Sequence, residues 1–304
     1  MCKVCKHSVN ELSVNVNRYD PTKTITLRNN FVHESNRRFK SITALVYKMI
    51  VNKDVFGLKP NIHTLQEFVE LPEKAFEFEI DAKKIEGFIQ WLEEQVRKGL
   101  LDNWPNKYIT DAYKRGILRA LEEMQKAKYK VPLLAEIGGE DVILTLSPHI
   151  NTLELLYLRT YSELTGITSQ MEQQIARILA QGFVESDGYK ELANKLVAAI
   201  NGKGMGELGL TDTIGRFIPA QRRAEILART EIVRAHHLAM VQEFRRWGVK
   251  GVYIMAEWKT AGDLQVCPIC ASNEGQVYTL DEVEGMLPAH PNCRCCIVPV
   301  IFKQ

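Results

Sequence analysis

Between Cys267 and Cys296 the chain reads CPICASNEGQVYTLDEVEGMLPAHPNCRCC, and five of its seven cysteines fall in this stretch. Cys267 and Cys270 are two residues apart, His290 and Cys293 repeat that spacing, and residues 271–289 connect the pairs. Thiolate and imidazole are the ligands of closed tetrahedral zinc, and two short-spaced pairs on separate turns are how structural zinc is usually held. The pattern predicts a structural zinc ion on Cys267, Cys270, His290 and Cys293. Pro268, Gly275, Pro288 and Pro291 turn or stiffen the backbone around the ligands.

Other readings of these residues stay open. Cys295 is an alternative ligand, and either Cys295 or Cys296 could replace Cys293 or His290. The thiols could simply pack, with His290 a polar surface residue, or Cys267 could pair with Cys293 or Cys295 as a disulfide in an oxidising setting. Catalytic zinc is disfavoured, because four protein ligands leave no position for water. Cys2, Cys5 and His7 lack a fourth ligand nearby and fit a frayed terminus better than a second site.

A length of 304 residues with 45% apolar content suffices for a core without staples and favours two domains. The formal charge of +2 and pI near 8.1 argue against a protein that coats nucleic acid through charge alone. No apolar run is long enough to span a membrane, and the start, MCKVCKH, lacks the apolar segment of a signal peptide. An odd cysteine count agrees with a reducing cytoplasm.

Helical periodicity dominates the first 250 residues. Leu27, Phe31, Phe39, Ile42, Val46 and Met49 predict a helix opened by Asp20-Pro21-Thr22 and ending near Gly57, with Arg28, Arg37, Arg38, Lys40 and Lys48 on a basic face. Residues 60–80 read as irregular, with one short strand at 76–80. Further helices are expected to Gly99, behind Trp104-Pro105, from Ser147-Pro148 to Gly166, behind a Thr168 cap, and behind an Asp187 cap. The glycines of residues 201–206 mark a loop and do not have phosphate-loop spacing.

Pro219 and Gly248 bracket the best-marked helix, Ala220 to Trp247. Its stripe places Thr230 and His237 inward and leaves Arg229, Glu231 and His236 at the margin. His237 reads as a buried, hydrogen-bonded histidine, and Glu231 with Arg234 as an intrahelical pair. Residues 251–259 are apolar on both faces and predict a central strand, followed by short strands at 276–278 and 297–302 and a helical turn at 281–286. The fold class is α+β and mainly helical: a flexible 1–17, a helical region 18–215, and a small mixed α+β module at 216–304 clipped by its cysteines and histidine.

The residues ARTE at 228–231, WKTAGD at 258–263, CPIC at 267–270, Gly275 and Val277, and PAHPNCRC at 288–295 with Pro299 resemble the carboxyl region of the bacteriophage Mu F-type head morphogenesis family, the minor head proteins. Asp20-Pro21-Thr22, Trp104, Ala112-Tyr113 and Gly116 echo its amino half. The resemblance implies a low-copy minor capsid protein of the virion, lodged inside the capsid near the portal and present in the host cytoplasm during assembly. It implies contacts with the portal protein, with major capsid or scaffold protein and with packaged DNA, none with membrane, and a part in head assembly and genome packaging or delivery. It implies no catalytic activity.

The alternative is a zinc-dependent nucleic-acid-processing enzyme of nuclease type, using His236, His237 or His290 beside the cysteines. A zinc deaminase is excluded, because no H-x-E occurs in the chain. A DNA-binding module would rest on Arg37-Arg38, Arg222-Arg223 and Arg245-Arg246, basic pairs without interleaved aromatics.

Overall fold

The computed structural model describes residues 20–59, 82–185, 187–201, 218–248 and 252–303. The expectations for residues 1–17, including Cys2, Cys5 and His7, for 60–80, and for the glycines at 202–206 lie outside the described residues. Seven helices come first: α1 (Ile25–Tyr47), α2 (Ala82–Gly99), α3 (Trp104–Lys126), α4 (Glu140–Leu144), α5 (Ser147–Val184), α6 (Tyr189–Asn201) and α7 (Ala220–Trp247). One turn of π-helix, Lys48–Asn52, extends α1. Then come β1 (Val252–Lys259), α8 (Pro268–Asn273), β2 (Val277–Tyr278), α9 (Leu280–Glu284) and β3 (Cys296–Lys303). The class is α+β and mainly helical, with the sheet confined to the carboxyl end.

The chain divides into two compact units. One comprises Arg28–Tyr108 and Tyr157–Arg229. Its core is formed by α1 (Phe39, Ile42, Val46), α2 (Phe88, Leu92, Val96), α5 (Met171, Ile175, Leu179) and α6 (Leu192, Leu196, Ile200). These residues recur at three- and four-residue intervals, so each helix turns one apolar stripe inward. Phe56 meets Phe88 and Phe183 with ring centroids 5.3 and 5.2 Å away. The Arg38 guanidinium lies 4.7 Å over Trp104 and donates to the Gly99 carbonyl, fastening the end of α2.

The other unit takes its described residues from Met1–Leu27, Ile109–Leu156 and Thr230–Gln304. Its sheet has the order β2-β1-β3, with β1 antiparallel to both neighbours. The two-faced apolar pattern of residues 251–259 thus belongs to the central strand. Ile254, Ala256 and Trp258 of β1 and Ile297 of β3 pack with Met240, Val241 and Phe244 of α7 and Ala120 and Met124 of α3. At Gly116 an added Cβ would lie 2.6 Å from the Ala239 Cβ and closer still to the His236 carbonyl oxygen, so α3 and α7 approach backbone to backbone there.

Three expectations are corrected. The helix expected to close at Gly166 runs on to Val184 as the single α5, and the Thr168 hydroxyl bonds the Thr165 carbonyl 3.0 Å away instead of capping a new helix. An interior glycine costs a helix only about 1 kcal/mol, less than the buried stripe from Leu164 to Leu179 returns. The Asp187 carboxylate bonds Lys195 at 2.7 and 2.9 Å. Glu231 and His236 are buried, each 1% exposed, because α7 is enclosed beyond its apolar stripe.

Buried polar groups on α7 find partners within their unit. The Tyr113 hydroxyl lies 3.0 Å from Nδ1 of His149, and Nε2 of His149 lies 2.9 Å from Glu243, which also accepts from Nε1 of Trp247 at 2.9 Å. With Nε2 protonated, Tyr113 donates to Nδ1 and His149 donates to the carboxylate, so the chain of bonds is satisfied end to end. Gly116→Ala is expected to destabilise this unit by about 1–3 kcal/mol, read as a lower midpoint of denaturant unfolding, because backbone atoms cannot yield to a new methyl group. An unchanged midpoint would contradict the close approach.

Candidate metal centre

The two cysteine-bearing turns predicted from spacing are built differently. Cys267 is the N-cap of α8: its sulfur accepts from the Cys270 N–H at 3.4 Å, and Pro268 occupies the first helical turn. One helical turn thus sets Cys267 and Cys270 side by side, in a six-residue helix too short to show a periodic apolar stripe. The second turn, His290 to Cys293, holds Asn292 at φ 62°. The Asn292 N–H donates to the Thr230 hydroxyl of α7 at 3.1 Å. Arg294 makes two bonds to Asp263, at 2.6 and 2.7 Å, and so ties the segment before α8 to the segment before β3.

These supports bring the soft ligands together. Nε2 of His290 lies 3.2 Å from the sulfur of Cys267 and 3.2 Å from that of Cys270, and the Cys270 and Cys293 sulfurs are 3.9 Å apart. Two trios suited to a metal ion result, Cys267 with Cys270 and His290, and Cys270 with Cys293 and Cys295. Cys270 belongs to both, and Cys293 joins the first trio through it. All five cysteines from 267 to 296 are free thiols. Cys296 stands apart: it points to the opposite face of β3 from Cys295, buried with Arg119 and Glu123 among its charged neighbours.

Zinc–sulfur bonds of about 2.3 Å and zinc–nitrogen bonds of about 2.0 Å imply tetrahedral edges of about 3.8 Å between sulfurs and about 3.5 Å between sulfur and nitrogen. The separations of His290 from Cys267 and Cys270 and of Cys270 from Cys293 lie near those edges, while Cys293 does not lie within 4.8 Å of all three others. Nδ1 of His290 lies 2.9 Å from the Pro291 carbonyl oxygen and donates to it, which leaves the lone pair of Nε2 directed at the sulfurs. The donor set therefore fits a four-coordinate ion that favours sulfur and imidazole.

The electrostatics of the cluster agree. The Cys270 N–H lowers the pKa of Cys267. A hydrogen bond from Cys295 lowers that of Cys293 to about 5. Burial, then the charge of Cys293, raises Cys270 to about 12. Cys295 is driven up first by donating to Cys293 and then by burial. At His290 burial is the largest influence and acts downward, but the Pro291 carbonyl and the sulfurs of Cys293 and Cys267 outweigh it and the pKa rises. The sulfurs are thus shifted in opposite directions, Cys267 and Cys293 down and Cys270 and Cys295 up; a bound divalent cation would favour the thiolate form of those sulfurs that ligate it.

The residues of the enzyme reading are placed otherwise. His236 and His237 are each 1% exposed. Nε2 of His237 lies 2.9 Å from the Val283 carbonyl, and burial pulls its pKa down to about 4, so it is neutral at pH 7. Both ring nitrogens of His290 are engaged, one with Pro291 and one with sulfur. The arginine pairs face carboxylates: Arg37 and Arg38 share Glu34, Arg222 meets Glu225, Arg245 meets Asp281 and Glu284, and Arg246 meets Glu243. Arg223 instead bonds the Gln170 side chain.

A mainly helical protein with a small antiparallel sheet beside a Cys/His cluster is the class that fold and site define. Residues 173–298 match the family described as Phage Mu protein F like protein, a stretch that begins in α5, ends in β3 and contains every residue of the cluster. Over that stretch, less than half of the chain, the sequence is similar to Mu F-like phage head proteins. No curated protein matches it, and no solved structure does. Among the described residues no helix is long and apolar enough to cross a membrane.

His237 supplies a pH test. Its folded pKa of about 4 lies below the ordinary value of 6.5, so between those values the unfolded chain takes up a proton that the folded chain refuses. Stability is expected to fall through that window as acid is added, and His237→Gln to remove part of the slope in denaturant titrations at stepped pH. Parallel profiles for the two proteins would contradict a neutral buried His237.

Proposed function

We propose that this chain is a minor capsid protein of a tailed phage or prophage. It sits inside the head close to the portal, in few copies, and acts in head assembly and in genome packaging or delivery. The observation that carries this reading is the Mu F-like match over residues 173–298, whose family works in building the phage head. Its partners on this reading are the portal protein, major capsid or scaffold protein, and the packaged DNA. It is located in the virion, after assembly in the host cytoplasm.

The chemistry of the terminal unit supports a structural task rather than a catalytic one. A hydrolytic site needs an unligated base beside a hydrated ion, whereas His290 has both nitrogens committed and His237 is buried and neutral. The arginine pairs, largely balanced by neighbouring carboxylates, favour protein contacts over broad, salt-sensitive coating of DNA.

The reading is tested by weighing the protein against the major capsid protein in purified particles by quantitative mass spectrometry. A few copies per head are expected, with cross-links to the portal protein. Copies in the hundreds, or absence from the particle, would argue for a shell or scaffold role instead.

A further inference from the structure

We propose that Cys267, Cys270, Cys293 and Nε2 of His290 form a closed structural site for one Zn²⁺, and that the Cys295 thiol supports it from outside by donating to the Cys293 sulfur. The inference stands on the geometry of the terminal unit and is independent of where the protein acts. The His290 nitrogen already lies 3.2 Å from two sulfurs, and Cys270 and Cys293 are 3.9 Å apart, so three of the six edges of a tetrahedron are in place and closing it requires Cys293 to move toward the first trio. A histidine whose Nδ1 is tied to a backbone carbonyl and whose Nε2 faces thiolates has the orientation of a metal ligand.

Spacing selects Cys293 over Cys295. Cys293 and Cys295 both stand in one trio with Cys270, but only Cys293 repeats, with His290, the two-residue spacing of Cys267 and Cys270, while Cys295 packs with Ile297 in the core of the unit. Cys296, on the other face of β3, cannot contribute. Three thiolates and one imidazole in a closed shell suit zinc, which has no geometric preference from its d electrons, and leave no position for a reacting water. The ion would bind α8 to the turn before β3, the two segments that Asp263 and Arg294 also join. It would therefore add to a clamp already in place and give β3 a fixed start.

The test uses the full-length protein purified without added chelator. Elemental analysis is expected to find about one zinc per chain, and X-ray absorption at the zinc edge to find three sulfurs and one nitrogen around it. No metal, a different metal, or a shell of four sulfurs would overturn the assignment. Cys295→Ala is expected to keep the three-sulfur, one-nitrogen shell while lowering zinc affinity about 10- to 100-fold in competition with a chromophoric chelator, the usual effect of losing an outer hydrogen bond. Cys293→Ala is expected to lose the ion. Should that variant fail to fold, the shell of Cys295→Ala still decides: two sulfurs and one nitrogen would make Cys295 the ligand and overturn the choice of Cys293.

Discussion

The terminal unit depends on two turns, far apart along the chain, meeting at Cys270. A three-stranded sheet whose outer strand β2 has two residues cannot hold itself together in water; it needs a helix against one face and a fixed path between its strands. Helix α7 supplies the first, through Met240, Val241 and Phe244 against Ile254, Ala256 and Trp258. The sulfur cluster supplies the second. It sets where α8 sits relative to the start of β3, and the full-length pairing of β1 with β3, from Val252 opposite Lys303 to Lys259 opposite Cys296, follows from that start. Slipping the pairing by one residue would exchange Cys295 and Ile297 with Cys296 and Val298 across the sheet, so cluster and register specify each other.

Helix α7 carries this arrangement because it is fastened at successive levels. Thr230 receives the Asn292 N–H beside the cluster, His237 holds the Val283 carbonyl at α9, and Arg245 reaches Asp281 and Glu284. Between His237 and Arg245, Glu243 ends the bond chain from Tyr113 through His149. Each of these polar side chains is paired within its unit, and pairing is what makes burial of a glutamate and two histidines tolerable. The same enclosure removes His237 from chemistry: a base buried and held neutral reaches no substrate.

Much of this was legible in the residues themselves. Pro219 and Gly248 mark both ends of α7, since proline starts helices well and glycine ends them. Apolar residues on both faces of 252–259 identify the central strand, and the paired two-residue spacings identify the cluster. What was not legible depends on contacts made at long range. Periodicity locates one buried stripe and cannot tell that Glu231 and His236, outside the stripe of α7, are enclosed as well. A glycine and a threonine at 166 and 168 suggest a helix end, but continued packing from Leu164 to Leu179 carries α5 through them. Nothing local announces that Ile109–Leu156 shares a unit with the carboxyl residues, or that Asp263 waits for Arg294. The match to the Mu F-like family begins at residue 173, so Ala120 and Met124, which α3 contributes to this unit's core, lie before it.

The claim that a bridged pair of turns holds the terminal unit is tested most directly by hydrogen exchange of the intact protein with and without a strong zinc chelator. The account predicts that chelation speeds exchange in α8, α9 and β1 to β3, while the amides around Leu92, Ile175 and Leu196 in the other unit keep their protection. Exchange that is the same in both conditions throughout residues 252–303 would contradict it.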